Sequence, residues 1–250
     1  MNTLDKETGM TSPHVAIRRN GPLVDVVLDH PENGNLIDAP MSETIIECIT
    51  TLDDDVKLVR ILASGPDFCK GRLSPMPPKD AKPSAETLRR VVAAPPLALY
   101  DALKAVRVPV ASVVRGNALG VGCALAGVCD IALASDDAVF QIPEMERDIP
   151  PTLVMSALIG RVPLKTVAHM VLSRVRLSAS EALHAGLVSR VVPAANLDAE
   201  ADALADTLLG CSAVTLRAVK QFLHLAPEMP ANGASGFAAH LAATALSARF

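Results

Sequence analysis

The chain has 250 residues, half of them apolar, and a formal net charge of −4. That length supports one large domain with its own core. With five Phe, one Tyr and no Trp, the core must be built from Ala, Val, Leu and Ile, and the scarcity of aromatic platforms together with scattered basic residues excludes a nucleic-acid partner.

Residues 14–19 and 23–28 are short apolar runs around Asn20-Gly21-Pro22, which predicts a hairpin at the edge of a sheet. Pro40 stands where a first helical turn tolerates proline, ahead of a helix with a period near 3.6, and residues 56–63 read as a buried strand. The proline-rich stretch 73–82 is a loop leading to a helix over 85–106, which Pro95-Pro96 must break or kink. Residues 108–135 run from an apolar β-branched strand through a glycine turn into a helix of small residues and a second strand. A short strand is expected at 138–141, a helix over 152–159 after Ile149-Pro150-Pro151, and another from Pro163. Ser178 and Glu181 form a capping box, Gly186 ends that helix, and 187–192 is a strand. Helices at 197–209, 212–226 and from 234 complete an α/β core with an all-helical C-terminal region, divided near 195.

The longest apolar run, 118–129, is broken by glycines and closed by Asp130, well short of the roughly 20 residues a spanning helix needs. No membrane partner is expected, and the absence of an apolar leader in the first residues points to the cytoplasm. The five cysteines (Cys48, Cys69, Cys123, Cys129, Cys211) show no C-x-x-C spacing, and the six histidines lack ligand spacing, so neither a disulfide framework nor a metal site is expected.

The glycine turn is the segment that carries chemistry. A helix start leaves backbone N–H donors unpaired and places the positive end of the macrodipole there, so the turn can hold an anion or oxyanion. A dinucleotide loop fits poorly, because Leu125 stands where the third fingerprint glycine belongs. No G-x-S-x-G elbow is present for a hydrolase.

Four segments in order resemble the enoyl-CoA hydratase/isomerase (crotonase) family. Residues 108–135 are similar to its V-A-x-V-x-G-x-A-x-G-G-G-x-E-L-A-x-x-C-D pattern, 63–71 (ASGPDFCKG) to its first oxyanion segment, 138–144 (AVFQIPE) to its A-x-F-x-x-P-E segment, and 171–192 to the stretch leading into the C-terminal helices. The resemblance implies a crotonase-like spiral of ββα units over 1–195 with a helical trimerisation region over 196–250, shorter than in relatives. It implies an acyl-CoA thioester as partner, a homotrimer or hexamer, and no cofactor beyond the coenzyme A of the substrate.

Carried onto this chain, the resemblance assigns the backbone N–H groups of Lys70 and Val121 to an oxyanion hole. It places Cys69, Gly71, Arg72, Leu73, Gly120, Ala124 and Ile142 around the substrate. Lys70 and Arg72 are either solvated loop residues or partners of the CoA phosphates. Enolising a thioester puts negative charge on its carbonyl oxygen, and one pre-aimed donor is worth about 3–4 kcal/mol. Family hydratases use two glutamates across one water. Here Ala124 replaces the first and Glu144 supplies the second, so the expected chemistry is double-bond isomerisation or a hydratase/lyase reaction with Glu144 as single acid/base. Asp148 is a candidate for the missing second acid. The alternative is a non-catalytic acyl-CoA binder or a divergent structural member.

Overall fold

A computed structural model describes residues 12–248 and Phe250. Most of the N-terminal stretch read for a leader lies outside the described residues. The hairpin forms as expected: β1 (Val15–Asn20) pairs antiparallel with β2 (Leu23–Leu28) across Gly21 at φ +55°. The chain then enters α1 (Ala39–Thr50), where the Asp38 side chain accepts from the Met41 N–H at 2.8 Å and Pro40 occupies the first turn. Strand β3 (Leu58–Ala63) returns parallel to β2.

The proline-containing helix is resolved into three pieces. Helix α2 (Ala85–Leu88) runs into a π-helical turn (Arg89–Ala93), and α3 (Ala94–Ala105) follows with the prolines in its first turn. Pro96 has no N–H to give the carbonyl four residues back, that of Val92. The wider turn carries the axis past this point, so the helical path bends without ending.

Strand β4 (Val110–Val114) is buried along its whole length. The structure then differs from the expected direct passage into a helix. Gly116 turns the chain at φ +54°, and a Cβ there would lie 2.1 Å from the Pro66 carbonyl oxygen. This bend allows a short strand, β5 (Asn117–Leu119), to join a second sheet before α4 (Val121–Val128). After β6 (Ile131–Ser135) comes β7 (Val139–Gln141), then α5 (Thr152–Leu158) and α6 (Leu164–Ser173). The two-residue β8 (Leu177–Ser178) was not visible in the periodicity. It leads into α7 (Ala179–His184), whose start carries the expected Ser178–Glu181 capping box. The strand expected over 187–192 is confined to β9 (Arg190–Val192).

The main sheet has order β1-β2-β3-β4-β6-β9, parallel except for the first pair, and the second has order β5-β7-β8. One face of the main sheet packs on the large core that includes Ile45, Leu99, Leu125 and Leu158. The other is covered by α8 (Leu197–Leu209), through Leu197, Ala201 and Ala205. Arg60 holds α8 in place, gripping both Asp25 oxygens at 2.7 and 2.9 Å and Asp202 at 2.6 Å. Helix α9 (Ala213–Leu225) is tied inward by Lys220, 3% exposed, whose Nζ lies 2.7 and 3.0 Å from the two Asp130 oxygens. Helix α10 (Ala231–Ser247) packs on α9 and buries none of its residues fully. No described helix is long and apolar enough to cross a membrane.

Candidate active site

Three chain segments run side by side in the same direction and end at the same place. Cys69 forms a parallel bridge with Ala118 of β5, with the Cys69 N–H donating to the Asn117 carbonyl at 3.0 Å and the Leu119 N–H to the Cys69 carbonyl at 2.9 Å. On its other side β5 runs parallel to β7. Beyond these pairs the chains emerge together as Gly71-Arg72, Gly120-Val121 and Pro143-Glu144. Ligands gather at such carboxyl ends because loops and helix starts, with unpaired backbone groups, converge there.

The glycines make the approach possible. A Cβ on Gly122 would lie 2.1 Å from the Cys69 carbonyl oxygen, so the first turn of α4 rests directly on the neighbouring segment. Gly120, at φ +52°, leaves no room for a Cβ, which would meet Glu144 Oε1 at 2.6 Å. The result is a cavity of about 510 Å³ lined by Gly71, Arg72, Tyr100, Gly120, Val121 and Glu144, among others.

Glu144 Oε2 is buried and has no hydrogen-bond partner. Burial pushes the carboxyl above its ordinary value, opposed by its own backbone N–H and by the charges of Arg147 and Arg72. Among the described residues, neither the Arg72 nor the Val121 backbone N–H has an acceptor. For Arg72 the bridge explains this. Ile37 donates to the Gly71 carbonyl and accepts from Leu73, so the intervening Arg72 amide faces away from Ile37.

Residues 18–244 match the family profile described as enoyl-CoA hydratase/isomerase. The chain belongs to the enoyl-CoA hydratase/isomerase family. It is 33% identical over 223 residues to the Mycobacterium tuberculosis protein named probable enoyl-CoA hydratase echA8, covering 88% of this chain and 84% of that one. It is 31% identical to the carnitinyl-CoA dehydratase of Salmonella typhi, covering 88% and 83%. Among solved structures, the enoyl-CoA hydratase of Mycobacterium smegmatis superposes with a TM-score of 0.86 at 27% identity, covering 93% and 91%. A Thermobifida fusca protein determined in complex with acetoacetyl-CoA superposes with a TM-score of 0.81 at 28% identity, covering 94% of each chain. The α/β architecture with a helical C-terminal region is that of this crotonase-type family.

Within this family frame, several sequence expectations need correction. The Lys70 N–H donates to the Gly34 carbonyl at 2.9 Å, so it is already spent and does not face the cavity as an oxyanion donor. The Lys70 side chain pairs with Asp67 at 2.6 Å. Asp67, despite burial, is held below the usual carboxylate range by Lys70 and Asn117. Asp148 does not line the cavity. It sits in a left-handed conformation, φ +55°, that turns its exposed side chain toward a different surface cleft. Ala124 and Ile142 are fully buried in the core, and neither lines the cavity. Cys69 is likewise buried, donating to the Gly71 carbonyl at 3.2 Å, with burial pushing its thiol up to about 12. Gly71, Arg72, Leu73, Gly120, Val121 and Glu144 all line the cavity.

Tyr100 was missed. The lone tyrosine of the chain lies on α3, fully buried, with its hydroxyl unpartnered at the cavity wall. His14, His30 and Glu32 bring three ligand atoms within 4.8 Å of one another, but the imidazoles are stacked at 3.7 Å and 5°. Their in-plane lone pairs therefore run parallel and do not converge on an ion, and none of the three lines the cavity.

Proposed function

We propose that this chain is an acyl-CoA-processing enzyme that moves a proton at the carbon beside a thioester carbonyl, with Glu144 as its single acid/base. The observation that carries the reading is the meeting of a buried, unpartnered Glu144 oxygen with two acceptor-free backbone N–H groups, those of Val121 and Arg72. The thioester oxygen lies between the two N–H donors. Glu144 removes a proton from the α-carbon, the C–H electron pair becomes the enolate double bond, and the charge that moves to oxygen is held by the two donors. Returning the proton at the γ-carbon completes a double-bond shift. A carboxyl raised above its ordinary value by burial is suited to both steps.

Hydration through two glutamates is disfavoured, because Ala124 stands where the family resemblance places the first and Asp148 faces elsewhere. Isomerase or hydratase/lyase chemistry therefore ranks above plain hydration. The exposed apolar groove between α9 and α10, lined by Val219, Phe222, Leu223 and Leu241, supports a homotrimer in which the helical region packs on another copy.

The test is a panel of 2-enoyl- and 3-enoyl-CoA thioesters with wild type and Glu144→Gln, together with α-proton exchange of saturated thioesters in deuterated water. Exchange and isomerisation by wild type, lost by at least about 10²-fold in Glu144→Gln, are expected. Equal turnover by both proteins removes Glu144 from the mechanism, and binding without exchange leaves a non-catalytic acyl-CoA binder.

A further inference from the structure

Arg72 lines the same cavity as Glu144, and its surroundings are unusual for a guanidinium. The side chain is half-buried. It turns inward, and Nη1 donates to the Val92 carbonyl at 2.8 Å, the carbonyl that Pro96 leaves without its helical donor. Guanidinium carries five N–H donors in a planar fork. Among the described residues no carboxylate lies within ion-pair distance of it. Buried or half-buried charges are ordinarily paired, since an unpaired one carries the full cost of desolvation. Burial accordingly pulls Arg72 below its ordinary value, opposed by the nearby Tyr100 and Glu144.

Tyr100 adds a second, independent observation. Its side chain is fully buried on α3, yet the hydroxyl has no partner in the protein and borders the cavity. Buried tyrosine hydroxyls are normally bonded. An unsatisfied donor and an unneutralised cation thus face one cavity whose remaining wall includes the apolar Val121, Pro96 and Val154.

Resting on the acyl-CoA reading above, we propose that Arg72 and Tyr100 recognise a carboxylate carried by the acyl group, so that the substrates are thioesters of dicarboxylic acids. A carboxylate accepts two parallel bonds from the fork of Arg72 and a third from the Tyr100 hydroxyl. It neutralises the half-buried guanidinium. The CoA phosphates are a poorer match, because a side chain that binds them belongs at the open mouth of the cavity, whereas Arg72 is turned in toward the π-helical turn that precedes α3. Arg147, whose side chain is exposed, is better placed for that role.

The test measures binding by calorimetry and needs no turnover. Succinyl-, glutaryl- and adipyl-CoA are compared with methyl-terminated acyl-CoAs of matched shape and with free CoA, using wild type, Arg72→Met and Tyr100→Phe, each checked for folding by circular dichroism. Wild type is expected to prefer at least one carboxylated thioester on the order of tenfold to a hundredfold. Arg72→Met should erase that preference, and Tyr100→Phe should reduce it severalfold without loss of stability. Arg72→Lys, which keeps the charge but loses the fork, should retain part of it. Equal wild-type affinity for the two thioester classes overturns the proposal while leaving the acyl-CoA reading intact. A preference that survives Arg72→Met, or an Arg72→Met loss that is equally large for free CoA, also overturns it. Failure of every CoA ester to bind overturns both readings together.

Discussion

Glu144→Gln should make the protein more stable at neutral pH while it disables the site. Oε2 of Glu144 is buried without a partner, and burial raises the carboxyl's folded value above the ~4.3 of an exposed glutamate. Between these two values the native state binds the proton more tightly than the unfolded chain, so stability falls as pH rises through that interval. Above the folded value the whole penalty is present, and below the ordinary value it is gone. A glutamine side chain cannot ionise and so avoids the penalty. An unsatisfied buried polar group costs about 1–3 kcal/mol, and because the glutamine amide also lacks a partner there, a gain near the lower end, about 1 kcal/mol, is expected. In a domain of this size that corresponds to about 2–4 °C in Tm. Thermal unfolding of both proteins from pH 8 to pH 4 should show the Glu144→Gln variant higher at pH 8 and the two curves converging toward pH 4. A variant that melts lower than wild type at pH 8, or a difference independent of pH, would refute the claim that this carboxylate is buried at a cost.

Further outcomes concern the framework around the site. Lys220→Met leaves Asp130 buried at 7% side-chain exposure, with only the Val110 N–H at 2.8 Å and Arg161 at 3.8 Å. A loss of about 3–5 kcal/mol is expected in denaturant unfolding, and a loss under about 1 kcal/mol would show that the pair is solvated. Gly120→Ala puts a Cβ against the Glu144 carboxylate in a left-handed conformation. It should lower α-proton exchange by about 10²-fold with a native circular dichroism spectrum, because small displacements of a catalytic group are expensive. Asn35→Ala removes a fully buried side chain that accepts from the His30 N–H at 2.8 Å and donates to the Ser64 and Asp67 carbonyls at 2.9 Å each. Three lost bonds at about 1 kcal/mol apiece predict roughly 3 kcal/mol of destabilisation, measurable by the same unfolding assay.

The elements legible in the sequence were those whose signals are local. Pro40 marks the first turn of α1, Ser178 with Glu181 starts α7, and Asn20-Gly21 turns the hairpin, each through chemistry contained within a few residues. The convergence of Val121 and Glu144 on one cavity was legible only through the family resemblance of residues 108–135 and 138–144, since apolar runs ending in turns do not say which ends meet. Which backbone amide faces the cavity was not. Lys70 and Arg72 differ only in which way a strand-like segment presents its N–H, and that is decided by Gly34 and Ile37, more than thirty residues earlier. Tyr100 escaped notice for a related reason. Along the buried stripe of α3 (Pro96, Leu99, Tyr100 and Leu103), spacing does not separate a residue facing the core from one facing a cavity. Asp148 was misplaced because a left-handed residue after a helical turn reverses the direction in which its side chain points.

The parallel arrangement of the three segments also bears on how the protein becomes active. Their pairings join residue 69 to 118 and residues 117–119 to 139–141, and the main sheet adds pairs such as Leu23 with Leu58 and Leu133 with Arg190. None of these contacts is local, so each must close a long loop before it repays the entropy spent. The helices can form early, but the cavity exists only when strands from distant parts of the chain have found one register. Recovered activity during refolding should therefore lag the return of helical signal, making the site one of the last features of this molecule to assemble.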